Sequence, residues 1–218
     1  QPLGPTTVTN RPRRNGASDY GQLVGDYTNP ILKPEAAEVV KRHGEISMSG
    51  MTYPTPSNRC WPSGVPQIYN LREPTQILQT KDKIVIIHQR DHQVQWIWLN
   101  QPHSKNVTPS WYGESVGRWE GDTLVVDTIG LNDKTYIDNY FTPHTEQLHV
   151  IERFHIIEGG RTLEVNIRVE DPGAFTMPWN AVQRYRRMEN GPMPEVVCAE
   201  NNDDHFNQNL IATPTAEK

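Results

Sequence analysis

The chain has 218 residues, a net charge of -5 and a pI near 5.9, and only 35% of its residues are hydrophobic. An acidic chain is not drawn to phosphate backbones or anionic lipid, so we expect neither nucleic acid nor a membrane surface as a partner. The longest apolar runs, Ile84–Ile87 and Val196–Ala199, are far shorter than the roughly 20 residues of a membrane-spanning helix. These values predict no membrane insertion and leave a small molecule as the expected partner.

The beginning of the chain is irregular. It starts at Gln1 without a methionine or an apolar leader, so either a signal peptide was removed or the N-terminus was trimmed. We expect the former, and therefore an exported protein, periplasmic or secreted. Residues 1–20 are predicted to be a flexible tail, because proline and glycine interrupt them and no apolar periodicity is present.

A helix and a strap are predicted next. Good helix formers follow Pro34, and Gly44 is the expected C-terminal stop, which gives a helix over Pro34–His43. The prolines between residues 47 and 70 exclude regular strands and predict a strap that lies on a sheet. Trp61 and Tyr69 are its expected anchors.

From residue 83 onwards the pattern alternates with a period of two, which is typical of strands. Sequential strands joined by short turns predict an all-β fold, an antiparallel meander that forms a calycin- or lipocalin-like barrel or a strongly curled sheet. We expect a single β domain over 21–205, which includes the helix and the strap (30–70), and a C-terminal tail over 206–218. Up to two further strands are expected beside six clear segments: Lys83–Gln89, Gln93–Asn100, Thr123–Ile129, Leu148–Glu158, Arg161–Glu170 and Ala181–Met188.

Turn residues separate several of these segments. The clearest hairpin turns at Glu158-Gly159-Gly160, and further turns are predicted at Arg90-Asp91-His92 and Glu120-Gly121-Asp122. In the strand after the first of these turns, Leu163, Val165, Ile167 and Val169 are expected to share one face.

The chain has two cysteines, Cys60 and Cys198, so no cysteine-based zinc site is available. In an oxidising compartment they can pair, and we expect this disulfide. It would contribute on the order of 4 kcal/mol to stability by restricting the unfolded chain. The alternative is two separate buried thiols.

Eight histidines in an acidic chain of this size are the main indication of function. The segment 143–149 brings His144, Glu146 and His149 together. The gap of five between the two histidines does not fit a zinc motif, in which histidines at i and i+4 ligate from one helix face. We therefore predict no cofactor, and a metal held by His144 and His149 remains the alternative.

The same groups are suited to acid-base chemistry without a metal, because imidazole titrates near neutrality and a carboxylate neighbour fixes its tautomer. The natural pairs are His92 with Asp91, and His149 with Glu146 or Glu152. No glycine-rich phosphate loop, G-x-S-x-G elbow or dinucleotide fingerprint occurs, so nucleotide cofactors and the usual serine hydrolases lack their signals.

Glu152 is the most specific single candidate. Strand alternation groups it with Val150 and Phe154 on one face of its strand, whereas His149 and Arg153 share the other face. A carboxylate on an apolar strand face must be paired or must line a polar cavity. The alternative role is an internal ion pair with an arginine of a neighbouring strand, Arg168 or Arg184.

Aromatic side chains would form the walls of a pocket. Trp96 and Trp98 share a strand face, and Trp111 and Tyr112 lie in an irregular segment of the kind that frames a barrel mouth. Asp127, a carboxylate in an apolar strand, is a candidate for a shifted pKa, or else for a hydrogen bond to a neighbouring Trp or Ser. Ligand binding is predicted for Trp111, Trp96, Asp127 and Glu146.

Three segments carry a resemblance to a known family: SWYGESVGRWEGDTLVVDT (110–128), PHTEQLHVIER (143–153) and CAENN (198–202). Over about residues 26–202 the chain resembles a family of uncharacterised exported bacterial proteins. The resemblance implies export and a shared β domain; no activity is known for the family, so it transfers no reaction. It also implies a place in the pocket for the positions that the family shares, which are His92, Trp111, His144, His149 and Glu152.

The leading hypothesis is an enzyme of the lyase or isomerase type. His144 or His149 would take a proton from a small oxygenated or aromatic molecule in the barrel pocket, and Glu152 would orient the base. Three further side chains would return the proton or steady a developing oxyanion: His92, Tyr112 and Arg153.

Two other classes of protein remain open. A periplasmic binding or carrier protein would use the same cavity without turnover. A sheet with a solid core would instead dock its aromatic strap on another protein. The sequence does not indicate an oligomeric state.

Overall fold

Eight strands form one strongly curled sheet, a half-barrel, in which the strand order follows the chain from β1 to β8. The computed structural model describes residues 24–49, 56–71, 73–188 and 191–198, so the predicted tails lie outside the described residues. Within these ranges no pairing joins β1 to β8, and the sheet stays open. The strands are β1 (Thr75–Gln79), β2 (Lys83–His88), β3 (Val94–Leu99), β4 (Glu114–Glu120), β5 (Thr123–Ile129), β6 (His149–Ile157), β7 (Thr162–Glu170) and β8 (Trp179–Arg186).

The prediction of an all-β curled sheet is therefore confirmed, with one departure from the antiparallel meander. β3 and β4 pair in parallel, with Ile97 opposite Ser115 and Leu99 opposite Gly117. A parallel pair cannot be joined by a tight turn and needs a crossover of about a dozen residues or more. Residues 100–113 supply it, and we call them the crossover segment. The two strands beyond the six clear segments are β1 and β4.

The two faces of the sheet differ in composition. The inner face carries the core, in which Ile84, Ile97, Val126, Val150 and Val165 are almost completely buried. Alternate residues along each strand point to the outer face, as the period-two pattern requires. The predicted alternation along β7 is confirmed, since Ile167 and Val169 also belong to this core and Leu163 packs against it.

The predicted turns join the expected strands. Glu158–Gly160 forms a short 3-10 turn between β6 and β7, with Gly159 and Gly160 at φ 63° and 97°. Glycine adopts such positive φ values without the steric penalty of a side chain. At the β2–β3 turn, Asp91 and His92 take φ values of 50° and 48°, and Gly121 takes 65° between β4 and β5.

Helix α1 (Pro34–Met48) runs further than the predicted end at His43. Gly44 is buried within the helix, and a Cβ at this position would come within 3.1 Å of Val24 Cγ1. The glycine therefore serves close packing rather than termination. The helix ends at Met48 and is capped by Ser49, whose hydroxyl donates to the carbonyl of Ile46. Among the described helices, none has the length and apolar character to cross a membrane.

The described part of the predicted strap lies against the inner face. It contains a short helix, α2 (Pro56–Arg59), and a 3-10 helix over Gln67–Asn70. Tyr69 is buried in the core, as expected of an anchor, whereas Trp61 is partly exposed and contacts Trp111 with ring centroids 6.0 Å apart. The strap thus fills the hollow of the half-barrel with the chain's own side chains.

The predicted disulfide is present. Cys60 of the strap and Cys198 near the C-terminus are bonded, with their Cα atoms 5.5 Å apart. The C-terminal segment is held beside the β2–β3 turn, where the amide of Asp91 donates to the carbonyl of Val196. The bridge therefore ties the strap to the region next to that turn.

Candidate active site

A group of buried polar side chains lies in the middle of the inner face, where a purely structural sheet would carry apolar residues. Each is at most 8% exposed. They reach one place because β2 to β6 are neighbours and each strand directs alternate residues inward. We call this set the inner polar cluster: His88, Gln93, Gln95, Ser115, Thr128 and Glu152.

Glu152 is the centre of the inner polar cluster and has no exposed surface (0%). Its Oε2 accepts hydrogen bonds from Gln95 Nε2 at 3.1 Å and from Thr128 Oγ1 at 3.4 Å. Its Oε1 accepts one from the hydroxyl of Tyr69. Burial raises the pKa of Glu152 to about 7, although these hydrogen bonds favour the carboxylate. Near neutral pH the group therefore exists in both protonation states, as a general acid or base requires.

The alternative role predicted for Glu152, an ion pair with Arg168 or Arg184, is wrong. Arg168 Nε donates to Glu170 at 2.6 Å, and Arg184 Nε donates to Glu164 at 2.6 Å. Both arginines are exposed on the outside of the sheet. The hydrogen-bond partners of Glu152 are neutral, so no fixed positive charge holds this carboxyl ionised.

Tyr69 comes to Glu152 from the strap rather than from the sheet. Tyr69 lies in the 3-10 helix Gln67–Asn70. Just before this helix the chain turns at Gly64, whose carbonyl accepts a hydrogen bond from the amide of Ile68. Gly64 has φ 69°, and a Cβ there would lie 2.7 Å from the carbonyl oxygen of Trp111, so only glycine fits this approach. Burial, and next the charge of Glu152, raise the pKa of Tyr69 well above its usual value. The phenol stays protonated and serves as a donor.

His88 is a neutral imidazole with one unused nitrogen. The hydroxyl of Thr75 donates to the carbonyl of Ile87 at 3.1 Å and lies 3.2 Å from His88 Nδ1, so Nδ1 is the donor to Thr75. Its Nε2 is buried and has no hydrogen-bond partner. Burial lowers the pKa of His88 to about 4. The Nε2 lone pair is thus available within a nearly apolar setting.

Tyr112 links His88 to the rest of the cluster. Its ring stacks on the imidazole with centroids 6.2 Å apart and planes at 15°. Its hydroxyl donates to Gln93 Oε1 at 2.6 Å, and burial raises the pKa of this phenol above its usual value. The same Gln93 oxygen accepts from the amide of Ser63 at 2.8 Å, which ties the strap to the cluster.

A small cavity of about 60 Å³ adjoins Tyr69 on the side of β7 and β8. This volume holds a few water molecules or a molecule of similar size. Polar side chains in its lining are Asn70, Asp138 and Gln183, and Trp179 also lines it with an indole N–H that is buried without a partner. Burial raises the pKa of Asp138, which accepts from Thr142 Oγ1 at 2.9 Å.

Two of the predicted site residues, Glu152 and Tyr112, lie on the inner face. His149 does not join them, because it is three residues from Glu152 on the same strand and points to the outer face. Its Nε2 donates to Asp127 Oδ1 at 2.9 Å instead of to Glu146 or Glu152. The expected orientation of His149 by Glu152 is therefore not what the structure shows.

His149 and Asp127 belong to a set of charged groups that we call the outer histidine chain. Asp127 Oδ1 also accepts from His103 Nε2 at 3.0 Å, and His103 Nδ1 lies 3.0 Å from Glu114 Oε1. Glu170 stands 3.6 Å from His149 Nδ1 at the other end. The hydrogen bond from His149 lowers the pKa of Asp127, and in return raises that of His149. Through His103, the outer histidine chain connects the crossover segment to Asp127 on the outer face of β5.

The remaining predicted residues are apart from both groups. His144 is buried, with Nε2 2.8 Å from Thr135 Oγ1 and Nδ1 3.1 Å from the carbonyl of Thr145, so both nitrogens are occupied. His92 and Glu146 are exposed in turns. The last three are on the surface or partly buried: Arg153 pairs with Glu120, Trp96 lies against Lys83, and Trp111 contacts Trp61.

Sequence reasoning gave Tyr69 only a structural role and assigned no catalytic role to His88. The argument that singled out Glu152 also applies to His88 and Gln95, since each is a polar residue among inward-facing isoleucines of its strand. No comparable signal exists for Asp138 or His103, because both lie outside regular strands.

Within the described ranges, no three His, Cys, Asp or Glu side chains are arranged to hold a metal ion. Comparison of the chain with protein-family models, curated proteins and solved structures gives no match. The site is therefore interpreted from its own geometry.

Proposed function

We propose that the protein is an enzyme of the lyase or isomerase type that moves a proton on a small oxygenated molecule, with Glu152 and Tyr69 as the proton-transfer pair. One observation carries the proposal: a fully buried carboxyl with a pKa of about 7 is hydrogen-bonded to Tyr69, a residue that lines a cavity. Perturbed carboxyls of this kind are concentrated in active sites, since a catalytic pKa near the working pH is the most effective.

The proton would move through Tyr69. As the Tyr69 oxygen takes a proton from a carbon of the substrate, its own proton passes to the carboxylate of Glu152. Glu152 then returns a proton through Tyr69, either to another atom of the substrate in an isomerisation or to a departing hydroxyl in an elimination. No proton is gained or lost overall, and no free tyrosinate is needed, in keeping with the raised pKa of Tyr69.

The cavity supports an oxygen-bearing substrate. The unpartnered indole N–H of Trp179 offers a donor to a carbonyl or hydroxyl oxygen. Asn70 and Gln183 add amide groups to the same wall. A volume of about 60 Å³ favours a substrate of only a few heavy atoms over the aromatic molecule that the sequence left open.

The second candidate is a binding or carrier protein, which the covering of Glu152 by Tyr69 favours. Tyr69 of the strap covers Glu152, and the carboxylate already accepts three hydrogen bonds. A ligand held there without turnover would need only complementary walls.

Hydrogen exchange separates the two candidates. Small hydroxy acids and ketones such as lactate and hydroxyacetone would be incubated with the protein in D2O and followed by proton NMR. Binding with deuterium incorporation or rearrangement supports the enzyme, whereas binding without either supports the carrier.

Two variants test the assigned pair. Glu152→Gln and Tyr69→Phe should each lower the exchange rate by about 100-fold or more, since acid-base groups typically contribute 10²–10⁴-fold. Glu146→Gln, which alters an exposed carboxylate, is the matched control and should keep the rate of the native protein. Full activity of Glu152→Gln in a folded sample would refute the proposal.

Export to an oxidising compartment, periplasmic or extracellular, is part of the same proposal. The Cys60–Cys198 disulfide supports it, because structural disulfides persist in such compartments and are rare in the reducing cytosol. Cell fractionation that follows the protein in its native host tests it.

A further inference from the structure

The outer face carries a groove that the proposed chemistry does not use. It lies between β3 and the crossover segment and has a volume of about 600 Å³, within the usual range of ligand sites. Trp96 and Trp98 line it, and their side chains are 50% and 39% exposed. Tryptophan is mostly buried in folded proteins, so two half-exposed indoles side by side leave apolar area that the described fold does not cover.

The other walls of this outer groove carry both charge and hydrogen-bonding groups. Lys83 Nζ lies 5.4 Å from the ring centroid of each tryptophan. Asn106, Thr108 and Glu114 line the same groove. One cation and one anion give the lining no net charge, so it has no preference for an ionic ligand. A purely aromatic ligand would leave the exposed amide of Asn106 and hydroxyl of Thr108 without partners, and they would lose their bonds to water on binding. The carboxylate of Glu114 is already held by Ser104, whose amide and hydroxyl donate to it at 2.7 and 2.6 Å.

We propose that the outer groove binds a neutral saccharide. A pyranose ring has one face of C–H groups, which carry a slight positive charge and stack on the electron-rich face of an indole. Hydroxyls surround its edge, and each is both a donor and an acceptor, which suits the amide, hydroxyl and ammonium groups of Asn106, Thr108 and Lys83.

The spacing of the two tryptophans indicates more than one sugar unit. Residues two apart on a strand lie about 6.6 Å apart and share a face, at about 3.3 Å per residue. The two indoles therefore present successive stacking surfaces along β3. An oligosaccharide lying along the strand would contact both, so we expect longer oligomers to bind more tightly than a monosaccharide.

The test is a titration of the full chain, followed by tryptophan fluorescence and saturation-transfer NMR. The probes are four neutral hexasaccharides of different linkage: cellohexaose, maltohexaose, xylohexaose and chitohexaose. At least one should bind, and Trp96→Ala and Trp98→Ala should each weaken its binding by about tenfold or more. Both side chains are half exposed, so these variants should fold and keep the melting temperature close to that of the native protein.

A matched control is available in the same sheet. Trp119 is 45% exposed at the end of β4 and does not line the groove, so Trp119→Ala should bind the saccharide as the native protein does. Glu152→Gln should also bind it normally, which separates this site from the proposed acid-base centre. The proposal is overturned if none of the four probes binds at about 10 mM. It is also overturned if Trp119→Ala weakens binding as much as Trp96→Ala, or if phenol competes fully with the saccharide.

Discussion

Replacement of Glu152 by glutamine should change how the stability of the protein depends on pH. Glu152 has a pKa of about 7 in the folded chain, against an ordinary value of 4.5. A pKa raised from 4.5 to about 7 corresponds to a stabilisation of about 3 kcal/mol, since each pKa unit is worth about 1.4 kcal/mol. Because the pKa is raised on folding, the native protein has the full stabilisation below pH 4.5. It loses that stabilisation as the pH rises from 4.5 through about 7.

His88 conceals this loss in the native protein. Its pKa falls on folding from 6.5 to about 4, so its contribution is present above pH 6.5 and is lost as the pH falls towards 4. Between pH 4.5 and 6.5 the two groups therefore give slopes of opposite sign that cancel. A variant that removes one of the two ionisable groups therefore reveals the pH dependence that the other gives to the stability.

Glutamine at position 152 has no ionisation, so the difference between variant and native protein isolates Glu152. That difference in unfolding free energy should move in favour of the variant by about 3 kcal/mol between pH 4.5 and 7 and stay constant outside this window. A constant offset of about 1 kcal/mol against the variant is also expected, since an amide N–H cannot accept the hydrogen bond that Gln95 donates.

The measurement is urea denaturation of both proteins at pH 4, 5, 6, 7 and 8, with Glu146→Gln as the control. Glu146 is exposed, so its replacement is the control for removing one carboxylate without disturbing the core. A difference between Glu152→Gln and the native protein that is flat with pH would show that the Glu152 carboxyl titrates alike in the folded and unfolded chains. The assignment of Glu152 as a poised acid or base would then be wrong.

Two further predictions concern the disulfide and the outer histidine chain. Reduction of the Cys60–Cys198 bond should lower the unfolding free energy by up to about 5 kcal/mol, because it spans 138 residues; equal urea midpoints with and without reductant would contradict this. Asp127→Asn should lower the pKa of His149, measured by NMR titration of its imidazole protons, because the hydrogen bond to Asp127 is the main cause of its raised value. Because the pKa of native His149 is raised, this residue stabilises the fold below pH 6.5, and the stabilisation is lost as the pH rises through the raised pKa. In Asp127→Asn this pH-dependent stabilisation should be smaller. An unchanged titration of His149 would assign the raised pKa to Glu170 instead.

Much of the sheet was predictable, because strand alternation and turn residues are local signals. The faces of β6 and β7 and the glycine turn between them follow from period-two patterning alone. The parallel pairing of β3 and β4 does not, since no residue of the crossover segment specifies the direction in which the next strand runs. The close approach of Gly44 to Val24 is also a tertiary feature, and the local pattern, which predicted a helix end at this glycine, does not reveal it.

The candidate site divides in the same way. Glu152 could be identified from the sequence alone, because a carboxylate among apolar strand neighbours must be hydrogen-bonded or paired. Its partner Tyr69 is 83 residues away, so the contact depends on where the strap lies on the sheet. The expected pairing of His149 with Glu152 failed for a simpler reason: residues three apart on a strand face opposite sides, and closeness in sequence does not overcome this.

The bond between Cys60 and Cys198 has a topological consequence. All eight strands lie between these two residues, so the sheet is enclosed in one covalent ring. A single cut by a protease in the crossover segment, or in any other connection between strands, would open the ring into a linear chain and release no fragment. The severed pieces would remain joined through sulfur, and only a second cut or a reductant would let them separate.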